Sequence, residues 1–132
     1  MWGDAEEAGN DDLYALFPDG RLQRITFDPV VDRNPTWSPD GSTLAFVRDQ
    51  GRSGSADNDI WTLDVATGSL RQLTQNNVQD GNPVWSPDGS QIAFYQATGD
   101  NGFHIHVLGA TESGSIDLMD GRPGRNLDPN WR

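Results

Sequence analysis

The octapeptide "NPTWSPDG" at residues 34–41 returns as "NPVWSPDG" at 82–89, and a shortened copy, "DPNWR", closes the chain at 128–132. The landmark tryptophans, Trp37, Trp85 and Trp131, stand 48 and 46 residues apart. A second landmark keeps phase with the first. "DLYAL" from Asp12, "DIWTL" from Asp59 and "HIHVL" from His104 follow one another at 47 and 45 residues. The segment "RITFDPVVDRNPTW" also aligns without a gap on "QLTQNNVQDGNPVW". Three landmarks in phase describe a repeated supersecondary unit, and such a unit buries its faces only against copies of itself.

Each unit reads as four short strands. The first is "PTW" or "PVW", followed by the turn "SPDG". The second is "TLAFV" (43–47) or "QIAFY" (91–95), the third "DIWTLD" (59–64) or "HIHVL" (104–108), and the fourth is typified by "LRQLT" (70–74). These runs hold β-branched and aromatic residues between clusters of Gly, Pro, Asp and Asn, and no segment carries a helical period. The second strands are apolar on both faces, as in a sheet covered on both sides, and the fourth are polar, as at an outer edge.

The turn has its own chemistry. Pro39 and Pro87 preset φ at the second position, Asp40 and Asp88 tolerate the third, and Gly41 and Gly89 supply positive φ. That role accounts for both aspartates without a ligand. Trp37 and Trp85 read as flat side chains packed between neighbouring sheets.

Units in the mid-forties, apolar inside and polar outside, describe the blades of a β-propeller. The pattern L-T-x(5)-D-x-N-P-x-W-S-P-D-G-S-x-(I/L)-A-F, followed by D-I-W-x-L-D, resembles the repeat of TolB-type, WD-like propellers, a family that includes the propeller domains of prolyl oligopeptidase-like proteins. The resemblance runs from Asp11 almost to the end of the chain. It implies an all-β fold of about three blades, each a four-stranded antiparallel sheet. The expected layout is one partial propeller over 1–132. Residues 1–27 end one blade, 34–74 and 82–119 form full blades, and 128–132 start the next. Three blades do not close a ring, since propellers take roughly four to eight. The chain is therefore expected to be an excerpt of a six-bladed ring, or one half of a ring closed by two chains. Either way, open blade edges invite self-association.

Composition removes several functions. The net charge is −11, with nine basic residues scattered along the chain, which argues against nucleic acid and against anionic membrane surfaces. No apolar run approaches the ~20 residues of a membrane span. The acidic opening "MWGDAEEAGNDD" is unlike a secretory signal, so the chain is expected to be soluble, with any export signal outside it. There is no cysteine. No nucleophile elbow or phosphate loop is present, and only three glutamates are available for acid–base work. No catalytic residue, cofactor or metal is expected. The loop "DQGRSGSADND" lacks the spacing of a calcium loop, and His104 with His106 lacks a third ligand placed by spacing.

Strand alternation puts the tight "SPDG" turns on one face and the variable connections on the other. Variable loops on a rigid scaffold usually carry binding. The candidate binding residues are Asp32, Arg33, Asp57, Asp59, Asp80 and Asp100, on a face expected to be negative. For Asp32 and Asp80, matched positions before N-P-x-W, a structural hydrogen bond is the competing explanation. The leading expectation is a non-enzymatic scaffold for a protein or peptide. TolB-type propellers dock the peptidoglycan-associated lipoprotein, so the resemblance implies a cell-envelope partner and an extracytoplasmic setting. The alternatives are the gating propeller of a prolyl oligopeptidase-like hydrolase and the ectodomain of a bacterial sensor or surface protein.

Overall fold

A computed structural model describes residues 11–51, 58–99, 102–111 and 114–118. The first ten residues of the expected N-terminal copy and the expected blade start at 128–132, including Trp131, lie outside them. The described residues form strands and no helix. The order is β1 (Tyr14–Leu16), β2 (Leu22–Arg24), β3 (Val31–Trp37), β4 (Thr43–Asp49), β5 (Asn58–Asp64), β6 (Leu70–Gln72), β7 (Asp80–Trp85), β8 (Gln91–Ala97), β9 (Phe103–Gly109) and β10 (Ser115–Asp117). They make three antiparallel meanders: a β1-β2 pair, a β3-β4-β5-β6 sheet and a β7-β8-β9-β10 sheet. The architecture is a partial β-propeller, all-β, as the repeat predicts.

The sheets stack face to face. Leu13 of the first sheet's segment packs with Leu44, Phe46 and Leu63 of the second, flanked by Ile25 and Trp61. The other face of the second sheet, Ala45, Val47 and Ile60, packs with Trp85, Ile92, Phe94 and Leu108 of the third. Alternation along β4 explains why one strand feeds both cores: Phe46 points one way, Ala45 and Val47 the other. The inner strand β7 lies against β3, β4 and β5.

The "SPDG" turn forms twice in the same geometry. Gly41 N donates to Ser38 O and Gly89 N to Ser86 O, both at 2.9 Å, with glycine φ of 72° and 73°. Asp40 Oδ1 accepts from Ser38 Oγ (2.6 Å), Ser42 N (3.0 Å) and Ser42 Oγ (2.8 Å). Asp88 Oδ1 accepts from Ser86 Oγ, Ser90 N and Ser90 Oγ in the same way.

Two expectations need correction. The inner strands begin at Val31 and Asp80, well before "PTW" and "PVW", and each carries a bulge, between Arg33 and Thr36 and between Gly81 and Val84. Pro35 and Pro83 cannot donate to a ladder, and the residues before them, Asn34 and Asn82, take φ of 52° and 47°. The strand therefore passes through the irregularity instead of starting after it. The two tryptophans also differ. Trp85 is 9% exposed and donates from Nε1 to Thr36 O of β3, whereas Trp37 is 47% exposed. The first sheet's described strands, β1 and β2, match the third and fourth strands of a unit. Among the described residues, no inner strand stands where β3 stands for Trp85.

Candidate functional site

The connections β2–β3, β4–β5, β6–β7 and β8–β9 open on one face, and the inner strands β3 and β7 start there. Of the six candidate residues, Asp57 and Asp100 lie outside the described residues. The other four do not form one exposed surface.

Asp32 is 2% exposed and receives two bonds from the Arg48 guanidinium, Nε to Oδ1 at 2.7 Å and Nη2 to Oδ2 at 2.8 Å. The two residues are paired across β3 and β4, which aims both side chains to the same side. Asp28 joins at 3.1 Å from Arg48 Nη1, and the Arg48 cation lies over the Phe46 and Trp61 rings. Burial opposes the arginine's charge, but the Asp32 bonds and the two carboxylates raise its pKa. Asp80 is fully buried and takes Gln96 Nε2 on Oδ1 and Asn76 Nδ2 on Oδ2, each at 2.9 Å. Asp59 is buried too, bonded by Gln72 Nε2 at 2.9 Å and more loosely by Thr74 Oγ1 at 3.4 Å. These three acids sit on strands, with their carboxylates turned into the seams between sheets, and the exposed negative face expected of them does not form from them.

Arg33 remains on the surface. Its Nε meets Asp11 Oδ2 at 2.7 Å, with both side chains about 60% exposed. Beside it are two residues that the sequence reading did not single out. Asn34 Nδ2 donates to Asn82 Oδ1 at 2.7 Å, from the exposed bulge of β3 to the half-buried bulge of β7. Both amides are held by left-handed backbone, which asparagine tolerates better than most residues at a cost of roughly 1 kcal/mol. The signal available in the sequence was the N-P pair repeated 48 residues apart. Arg33, Asn34 and Asn82 thus form a short ledge of side-chain donors and acceptors on rigid strands.

Elsewhere the polar groups serve the fold. His104 Nδ1 lies 2.8 Å from Asp117 Oδ2, and His106 Nε2 is 4.0 Å from the same oxygen. So a carboxylate does accompany the histidines, delivered by the β9–β10 register and not by sequence spacing. His106 stacks on Phe94 at 5.7 Å, and burial lowers its pKa. Among the described residues, no group of three or more His, Cys, Asp or Glu is arranged to hold a metal ion. On the opposite face, a cleft of about 240 Å³ lies between the two "SPDG" turns, over Trp85. Its acids, Asp40 and Asp88, are the turn aspartates already described.

A family model for the TolB beta propeller domain matches residues 4–131. A TolB homologue of Chlorobium luteolum is 38% identical over 60 residues, covering 45% of this chain and 13% of that protein. A solved structure assigned as TolB from Agrobacterium tumefaciens aligns with a TM-score of 0.71 at 22% identity, over 81% of this chain and 40% of that one. TolB of Acinetobacter baumannii aligns at 0.68 and 22%, over 81% and 26%. A chain from Bacteroides ovatus assigned as a dipeptidyl aminopeptidase IV aligns at 0.58 and 16%, over 80% and 23%. Structural likeness at these identities speaks to fold alone. The chain spans less than half the length of each of these relatives.

Proposed function

Because this chain belongs to the TolB beta propeller domain family, we propose that it is a non-enzymatic propeller scaffold that binds a protein or peptide partner on its loop face. The observation that carries this reading is the ledge formed by exposed Arg33 and the cross-sheet amide pair Asn34–Asn82. Amide side chains match the donor and acceptor spacing of a peptide backbone, and Arg33 adds a fork suited to a carboxylate or carbonyl. Fixed on strands, these groups bind without first being ordered, which is the condition for a useful polar contact. Asp57 and Asp100, which lie outside the described residues, are retained from the sequence as further candidates for partner binding.

The test uses the partner that the family resemblance implies. The soluble domain of a peptidoglycan-associated lipoprotein is titrated onto the immobilised chain by biolayer interferometry. Saturable binding that falls roughly tenfold in Arg33→Ala supports the reading. Absence of binding, or binding indifferent to Arg33→Ala, rejects the ledge as the contact. Turnover of a chromogenic prolyl peptide by the purified chain would reject the non-enzymatic part.

A further inference from the structure

The seams between successive sheets are built on one plan with different charges. At the first seam, Asp12 is bonded to Arg24 (2.5 Å), Asp32 to Arg48, and Asp28 to the same Arg48. Thr26 Oγ1 accepts Leu13 N at the centre. One repeat later the same positions carry Asp59 with Gln72, Asp80 with Gln96, and Asn76 in place of Asp28. Thr74 Oγ1 accepts Ile60 N, as Thr26 accepts Leu13 N. Both arginines have become glutamines and the two core aspartates have stayed. The hydrogen bonds to the buried carboxylates of the second seam therefore come from neutral groups, the Gln72, Gln96 and Asn76 amides and the Thr74 hydroxyl, where the first seam has arginines.

We infer that the seam between the second and third sheets is a pH-responsive joint, which tightens when the buried Asp59–Thr74–Asp80 cluster takes up protons as pH falls, because glutamines stand there where the first seam has arginines. A carboxylate out of water costs free energy unless a counter-charge or several donors offset it, and protonation removes that cost. Burial raises the pKa of both acids above the free value of 3.8, and the Asp80 charge pushes Asp59 further the same way. Groups whose pKa is raised on folding add stability as pH falls towards the unfolded value, and that stability is lost as pH rises through the folded value. The joint is thus loosest at neutral pH.

The surrounding charges leave this balance in place. Arg48 lies opposite Asp59 in the β4–β5 register, but its guanidinium is committed to Asp32 and Asp28. Arg71 of β6 donates to the Thr111 carbonyl. From β9, His106 acts on Asp80, with His104 and Asp117 behind it. Burial lowers the His106 pKa from 6.5, so its protonation works against folding as pH falls and must be separated from the aspartates.

The experiment follows the chain's melting temperature from pH 7.5 to 4.5, together with the carboxyl ¹³C titrations of Asp59 and Asp80, in wild type and in a His106→Gln background. The expected result is a rise of a few degrees on acidification, with both carboxyls titrating above 3.8. The isosteric pair Asp59→Asn and Asp80→Asn should abolish that rise and melt higher than wild type at pH 7.5. Gln96→Arg, which installs the first seam's partner, should flatten the profile and move the Asp80 titration down. If Asp59 and Asp80 titrate at or below 3.8, or if the double asparagine variant keeps the full rise, the inference is wrong.

Discussion

The indole nitrogen of Trp85 donates to the backbone carbonyl of Thr36 at 3.1 Å, tying the third sheet to the inner strand of the second. The ring itself lies in the core with Ile60, Ile92 and Phe94. The side chain thus contributes apolar burial and one inter-sheet hydrogen bond. Trp85→Ala should cost about 3–5 kcal/mol, because a large cavity opens in a packed seam. Trp85→Phe, which keeps most of the area but loses the indole bond to the Thr36 carbonyl, should cost about 1–2 kcal/mol. Trp37, half exposed at the matching position, should lose no more than about 1.5 kcal/mol as alanine. Urea unfolding midpoints at constant slope measure all three. Equal losses at Trp37 and Trp85 would show that Trp85 is not the seam's anchor.

The turn aspartates give the fold an acid limit. Hydrogen bonds from Ser38 and Ser42 hold the Asp40 pKa down at about 2, and those from Ser86 and Ser90 do the same for Asp88. A depressed pKa contributes stability that is complete above the unfolded value of 3.8 and lost as pH falls through about 2. Melting temperature should therefore drop across that interval. The Asp40→Asn/Asp88→Asn variant should show a shallower drop, with a remainder from Asp19 and Asp64, whose pKa values are also lowered by local hydrogen bonds. An unchanged acid slope in the double variant would remove these turns as its source. This acid loss lies below pH 3.8 and the gain at the second seam lies above it, so the two are separable on one titration.

What the sequence disclosed was what neighbouring residues decide. Pro39, Asp40 and Gly41 specify their turn within four positions, and Leu44–Val47 announce a strand covered on both faces. What it concealed depends on register between distant strands. Asp32 looks like a loop acid until β3 pairs with β4 and brings Arg48 opposite it. His104 acquires Asp117 only once β10 pairs with β9. The residue before a proline is biased to extended backbone, so Asn34 and Asn82 gave no local sign of left-handed geometry. Only the bulge, a property of the paired strands, requires it. Strand ends and loops look alike in composition, yet Asp32, Asp59 and Asp80 at the strand ends are buried.

The Asn34–Asn82 pair joins the structural and functional readings, and substitutions can separate the two. Glycine adopts positive φ freely, so Asn34→Gly should relieve backbone strain while losing the 2.7 Å bond to Asn82, leaving stability within about 0.5 kcal/mol of wild type. Asn34→Ala loses the bond and keeps the strain, and should cost about 1–2 kcal/mol. Urea unfolding gives both numbers, and a double-mutant cycle with Asn82→Gly should return a coupling of roughly 0.5–1 kcal/mol for the exposed amide bond. If the ledge binds a peptide through these amides, Asn34→Gly should weaken partner binding despite its near-native stability. A glycine variant as stable as wild type that also binds as well would leave the asparagines as strand-bulge residues alone and move the contact to Arg33.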